Sequence, residues 1–173
     1  MLAGLAAHWS RLHLPARQGL KAMRRIVLAL LVAFLGNVHS APPPYDESAD
    51  AKLELRLTQA AARQAGVPML VVFGANWCGD CKMLDQAFKQ GASAELIAKH
   101  FRVVKVDVGR FDRNVDLAQA YGVPLKSGIP AVAVVSGQGQ LIYATRAGEL
   151  ADARALGDTG IHDFFAMLVA QHK

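Results

Sequence analysis

Residues 68–82 read Pro68-Met69-Leu70-Val71-Val72-Phe73-Gly74-Ala75-Asn76-Trp77-Cys78-Gly79-Asp80-Cys81-Lys82. Pro68–Phe73 is a short continuous apolar run, the pattern of a buried strand. After the small and polar residues Gly74–Asn76, helical spacing begins, with Cys81, Leu84 and Phe88 on one face. Cys78 and Cys81 stand at the handover from strand to helix. Two intervening residues put both on one helical face, within reach of a disulfide. Cys78 falls at the helix N-terminus, where unpaired N–H groups and the positive end of the dipole stabilise a thiolate. Cys81, one turn in, is expected to be more buried and less acidic. Cys78 is therefore the candidate attacking thiol and Cys81 the resolver of a mixed disulfide.

The flanking segments build a sheet around this unit. Asp50 or Ser48 caps a helix with apolar positions at Leu53, Leu57, Ala60 and Ala61, ending at Gly66. Lys82–Gln90 continues the helix after the cysteines, and Ser93–His100 reads as a further helical turn or two. Phe101–Val108 is a strand and Asn114–Tyr121 a helix closed by Gly122. Ala131–Val135 and Leu141–Thr145 form a hairpin through Gly137-Gln138-Gly139. Thr159–Gln171 is a last helix, with Ile161, Phe164, Phe165 and Leu168 at helical spacing. The order helix, β-α-β, α-β-β-α predicts an α/β fold with helices on both faces of the sheet.

The chain has 173 residues, 53% of them apolar and 19% charged, enough for one domain with a core. Its net charge of +5 is a property of the first forty residues. Arg11, Arg17, Lys21, Arg24 and Arg25 lie there with no acidic residue, and the remainder is formally neutral. Charge therefore gives no support to nucleic-acid binding. Met23-Arg24-Arg25, the apolar run Ile26–Gly36 and the small-residue exit before Pro42 are the parts of a secretory signal peptide. The expected cut lies between Ser40 and Ala41. The run falls well short of the roughly 20 residues that span a bilayer, so no membrane insertion of the mature chain is expected. Met1–Ala22, Arg-bearing and free of acid, is read as an overlong start with translation beginning at Met23, in preference to a mitochondrial transit sequence. The expected organisation is a leader over 1–40, a Pro-rich tether over 41–48 and one domain over 49–173.

Three readings of the cysteine pair compete. A CxxC beside a βαβ pattern is a redox signature. A purely structural disulfide would close too short a loop to contribute much entropy. A metal site needs two more ligands, and His100, His162 and His172 form no ligand-spaced motif with the thiols. The redox reading is preferred, with no cofactor and no metal.

At this level the chain resembles the thioredoxin superfamily. Trp77-Cys78-Gly79-Asp80-Cys81-Lys82 is similar to the WCGPCK motif, with Asp in place of Pro. Val71–Phe73 is similar to the strand before it and Lys105-Val106-Asp107 to the central strand. Tyr121-Gly122 and Gly128-Ile129-Pro130 resemble the approach to the family's cis-proline, and Gly148 a glycine after the last strand. The resemblance implies a thioredoxin-like fold over Val67–Lys173, a central mixed sheet with an extra N-terminal helix. Together with the leader it points to exported, periplasmic proteins of this kind.

It further implies a client-binding rim. A cis Ile129-Pro130 bond would turn the chain beside the thiols and present Ile129 backbone to an extended client; a trans turn before a strand is the alternative. Trp77 either packs over the active site or sits in the core or rim. Lys105, in a strand expected to be buried on both faces, either lines the pocket below Cys81 or snorkels from the strand end. Asp80 is expected to oppose the Cys78 thiolate by like-charge repulsion while favouring the helix dipole.

The chain departs from the family at Val72, where thioredoxins carry a buried Asp. Proton transfer from Cys81 then falls to water, Lys105 or a carboxylate such as Asp80. The loops Val123–Ser127 and Glu149–Asp158 are longer than in thioredoxin. The expected function is an exported, monomeric thiol–disulfide oxidoreductase acting on client proteins and re-reduced by a membrane donor. A thioredoxin-fold binding protein or copper metallochaperone without turnover is the alternative.

Overall fold

The computed structural model describes residues 42–171. The leader, its expected cleavage point and the alternative starts lie outside the described residues. At the centre runs β1 (Met69–Gly74), flanked by a strand on each side and buried at every position because helices cover both faces of the sheet. Its parallel neighbour is β2 (Arg102–Asp107), with Val72 paired to Lys105. Its antiparallel neighbour is β3 (Ala131–Val135), which continues into β4 (Leu141–Ala144). The order β2-β1-β3-β4 is a mixed sheet. The helices lie on both of its faces, and an extra N-terminal helix, α1 (Ala51–Ala65), precedes it.

Local chemistry sets the helix ends. The Asp50 carboxylate accepts the N–H groups of Lys52 and Leu53, both at 3.0 Å, and starts α1. Gly66, in the left-handed region, stops it. The face that α1 buries is not the one expected. Ala51, Leu55 and Ala62 pack inward, whereas Leu53 and Leu57 are 42% and 56% exposed. Leucines at 53, 55 and 57 lie on different sides of the helix, so their spacing alone does not select the buried face.

Between β1 and β2 run α2 (Gly79–Ala87) and α3 (Gly91–His100), and both pack on α5 (Ala153–Gln171). Phe165 of α5 meets Phe88 and Phe101 edge-on, with ring centroids 5.2 and 6.4 Å apart; such pairs contribute about 1 kcal/mol each beyond their burial. A short helix, α4 (Val115–Ala120), links β2 to a 3-10 turn (Leu125–Ser127) ahead of β3. The last helix starts earlier than the expected Thr159 and breaks at Gly157, whose φ of 62° no helix residue adopts.

A second expectation changes. Among the described residues β2 lies at the sheet edge with only part of its length buried, and Lys105 is half-buried. Its ammonium reaches Asp85 on α2, so the charge that seemed out of place in a strand is paired. No helix among the described residues is long and apolar enough to cross a membrane.

Candidate active site

The chain leaves β1 at Gly74 and turns through Ala75-Asn76-Trp77, with the Cys78 N–H donating to the Ala75 carbonyl at 3.1 Å. Cys78 is the N-cap of α2, extended at φ −78° and ψ 118°. Its Sγ accepts the Cys81 N–H at 3.1 Å, the place a capping oxygen normally takes. A sulfur capping a helix gains most from being negative. The Cys78 pKa is lowered to about 7, chiefly by the hydrogen bond from the Cys81 side chain, against a burial cost and assisted by backbone N–H groups. Cys81 is fully buried, and its pKa is raised by donating to Cys78 and by loss of solvent. Both cysteines are free thiols. One sulfur is thus the more acidic and the other, fully buried, is held protonated.

Of Trp77, Ile129 and Pro130, the structure brings Ile129 into contact with the pair. Ile129–Pro130 is a cis peptide, and the Cys78 thiol donates to the Ile129 carbonyl over a long 3.5 Å. Both Ile129 and Pro130 are buried. Trp77 is a rim residue, 49% exposed. Its Nε1–H donates to the Gly109 carbonyl at 2.7 Å, and its ring stands edge-on to the exposed Phe111.

Asp80 is where the expected electrostatics need amendment. Its carboxylate does raise the Cys78 pKa, but it is not an isolated charge. Arg154 binds it three ways: from its backbone N–H at 3.0 Å, from Nε at 3.1 Å and from the guanidinium terminus at 3.0 Å. These bonds, the side-chain ones foremost, hold the Asp80 pKa below its ordinary value. The guanidinium crosses Gly79, where a Cβ would lie 3.3 Å from it. The long Glu149–Asp158 segment thus delivers a cation to the start of α2. Its first carboxylate, Glu149, accepts the backbone N–H groups of Arg146 and Ala147, which fixes the loop.

Lys105 is not a lone charge. It pairs with Asp85, one helical turn beyond Cys81, and Asp85 also accepts from Lys89 at 2.7 Å. Burial would raise the Asp85 pKa; the two lysines outweigh it and the net shift is downward.

Sequence reasoning passed over Tyr45, Asn76, Asp85 and Arg154. Asp85 had a signal, being four residues after Cys81 on the same helical face. Arg154 and Tyr45 had none, since each reaches the site across a long stretch of chain. Tyr45 is 1% exposed although it belongs to the segment read as a tether.

Residues 51–137 match the profile of a family described as Thioredoxin-like. Over 83 residues the chain is 39% identical to Thioredoxin 1 of Chlorobaculum tepidum, covering 48% of this chain and 73% of that protein. A solved structure described as a disulphide isomerase from Xylella fastidiosa is 52% identical, with a TM-score of 0.72 over 75% of this chain and 98% of its own. The reduced C-terminal domain of DsbD from Neisseria meningitidis superposes with a TM-score of 0.50 at 20% identity, over 72% of this chain and 98% of that one, a likeness of fold.

Proposed function

Because this chain belongs to the thioredoxin-like family, we propose that it is an exported thiol–disulfide oxidoreductase that reduces or isomerises disulfides of client proteins. One observation carries the reading: the Cys78 sulfur caps α2, accepting the Cys81 N–H at 3.1 Å, with the second thiol sealed beneath it. The Cys78 thiolate attacks a client disulfide and forms a mixed disulfide, releasing one client sulfur. Cys81 then attacks Cys78 Sγ, closes the Cys78–Cys81 disulfide and frees the second client sulfur. Trp77, Ile129 and Pro130 form the rim against which the client lies. Asp80 opposes the Cys78 thiolate directly, with its charge shared by Arg154, and Lys105 neutralises Asp85.

The reducing or isomerising direction is supported by two observations. The 52%-identical structure is described as a disulphide isomerase. Between the cysteines stand Gly79 and Asp80, so no imidazole there favours the Cys78 thiolate, and the Asp80 carboxylate disfavours it. A potential nearer thioredoxin's, about −270 mV, than DsbA's, about −120 mV, follows. In an oxidising compartment such a protein needs a reductant donor in the membrane. Export itself is supported by the basic, apolar and small-residue pattern of Met23–Ala41.

Trapping with Cys81→Ser in the exported compartment tests the activity, and N-terminal sequencing of the same material tests export. The expected result is client proteins joined through Cys78 to a chain beginning at Ala41. A variant that captures no client, with a wild-type protein inert towards insulin disulfides, would overturn the enzymatic reading.

A further inference from the structure

Cys81 must lose its proton before it can attack the mixed disulfide, and β1 carries Val72 where a carboxylate could have accepted it. Val72 is apolar, and its cross-strand neighbour Lys105 is committed to Asp85. A polar group does reach the buried thiol from elsewhere. The Tyr45 hydroxyl lies beside it, since a Cβ on Gly74 would touch both that hydroxyl and Cys81 Sγ, and the phenol is buried although its segment has no regular secondary structure. Gly74 closes over both groups: a Cβ there would lie 2.9 Å from Cys81 Sγ and would strike the Tyr45 ring.

Tyr45 is also fastened to the active-site turn. Its N–H donates to Asn76 Oδ1 at 3.0 Å, and Asn76 Nδ2 donates back to the Tyr45 carbonyl at 2.9 Å. Asn76 lies two residues before Cys78, so the latch and the thiols share one turn of chain. A buried phenol held by a reciprocal backbone bond and aimed at a reacting sulfur is a placed group.

We propose that Tyr45 is the hydrogen-bond donor that stabilises the Cys81 thiolate during the resolving step. The inference rests on the oxidoreductase reading and names a further residue of the same site. In that step Cys81 gives its proton to solvent and its thiolate attacks Cys78 Sγ. The Cys78–Cys81 bond forms as the Cys78–client bond breaks, and the client sulfur leaves with the electron pair and takes up a proton. Overall two protein thiols are oxidised as one client disulfide is reduced. Tyr45 keeps its O–H bond throughout.

The surroundings fit a donor and not a base. Burial first, then the neighbouring sulfurs and Asp85, push the Tyr45 pKa upward, so the phenol holds its proton. Donation from Tyr45 lowers the Cys81 pKa against the stronger upward effects of Cys78 and burial. The other charged groups around the pair are bound elsewhere. Asp80 is held by Arg154 of α5, Asp85 by Lys89 and by Lys105 of β2, and Asp107 at the end of β2 by Arg113.

The test uses the reduced full-length protein and dithiobis(nitrobenzoate), whose chromophoric thiolate is released once on attack by Cys78 and again on resolution by Cys81. Tyr45→Phe keeps the ring and deletes only the hydroxyl. The first release should be unchanged, and the second should slow about tenfold at neutral pH. Its pH profile should move about one unit towards alkali, the equivalent of that factor. Asn76→Ala, which frees the latch, should slow the second release in the same direction. A second release with unaltered rate and pH profile in Tyr45→Phe would overturn the proposal, as would equal slowing of both releases, which marks a general loosening of the site. A wild-type protein lacking the second release would instead overturn the oxidoreductase reading on which the proposal rests.

Discussion

Replacing Cys81 by alanine isolates what the second sulfur does for the first. The Cys78 pKa is lowered from 9.0 to about 7, and the largest cause is the hydrogen bond from the Cys81 thiol. Alanine removes that donor and leaves the residue-81 backbone N–H, which Cys78 Sγ accepts at 3.1 Å. A hydrogen bond to a charged group contributes about 1.5–3 kcal/mol, and 1.36 kcal/mol is one pKa unit. Relief of burial by the smaller side chain offsets part of the loss, so the variant should titrate roughly one unit higher. At pH 7 the thiolate fraction falls from about one half to about one tenth. A more basic thiolate is about threefold more nucleophilic per unit, so alkylation at a single pH hides much of the change. The midpoint of the pH profile is the proper readout, taken from iodoacetamide alkylation of Cys78 between pH 5 and 10. The expected midpoints are near 7 for wild type and about 8 for Cys81→Ala. Identical midpoints would refute the assignment of the second sulfur as the main source of the lowered pKa. A variant midpoint at the ordinary 9.0 would refute the contribution of the helix N-terminus.

The same assay separates Asp80 from Arg154. Asp80→Asn should lower the Cys78 midpoint by removing a repelling charge, and Arg154→Met should raise it by unmasking that charge; shifts in one direction for both would contradict the pairing. Lys105→Met should cost about 2 kcal/mol of stability at pH 7 by leaving the Asp85 carboxylate with Lys89 alone, measured by urea unfolding. Because the folded Asp85 pKa is depressed, its contribution is present above the unfolded value of 3.8 and is lost as pH falls through the folded one. The gap between wild type and Lys105→Met should therefore begin to narrow below about pH 4 and go on closing as pH falls through the folded value, and a gap constant from pH 7 to pH 3 would contradict this.

Legibility in the sequence followed the range of the interactions. β1, the CxxC turn and α2 are set by neighbours within a few residues, and Pro68–Lys82 carries all of that information locally. The hairpin from Ala131 and the C-terminal aromatic stripe, Ile161, Phe165 and Leu168, are likewise periodic patterns that burial respects. Leu53 and Leu57 misled because a helix with apolar residues on several sides is oriented by its partner, here the sheet, and not by its own spacing. Lys105 misled for a related reason: nothing in FRVVKVDV says whether a strand is central or at an edge. Arg154 reaches Asp80 across 74 residues, and no local pattern encodes that pairing.

The two thiols divide along the same line. What makes Cys78 reactive is short-range: a helix start, the Cys81 N–H and the Cys81 sulfur, all within one turn. A strand-to-helix turn of this kind puts its first cysteine at a helix N-terminus, which is why an acidic Cys78 could be expected from spacing alone. What governs Cys81 is long-range. Its chamber is closed by Gly74 and entered by Tyr45, a residue outside every periodic element of the chain. The segment around Tyr45 is therefore part of the catalytic unit and not a passive lead-in. Asn76 joins the two halves of this division, since it sits in the turn that positions Cys78 and holds the residue that lies beside Cys81. Attack and resolution can thus be tuned separately, the first through the residues between the cysteines and the second through Tyr45.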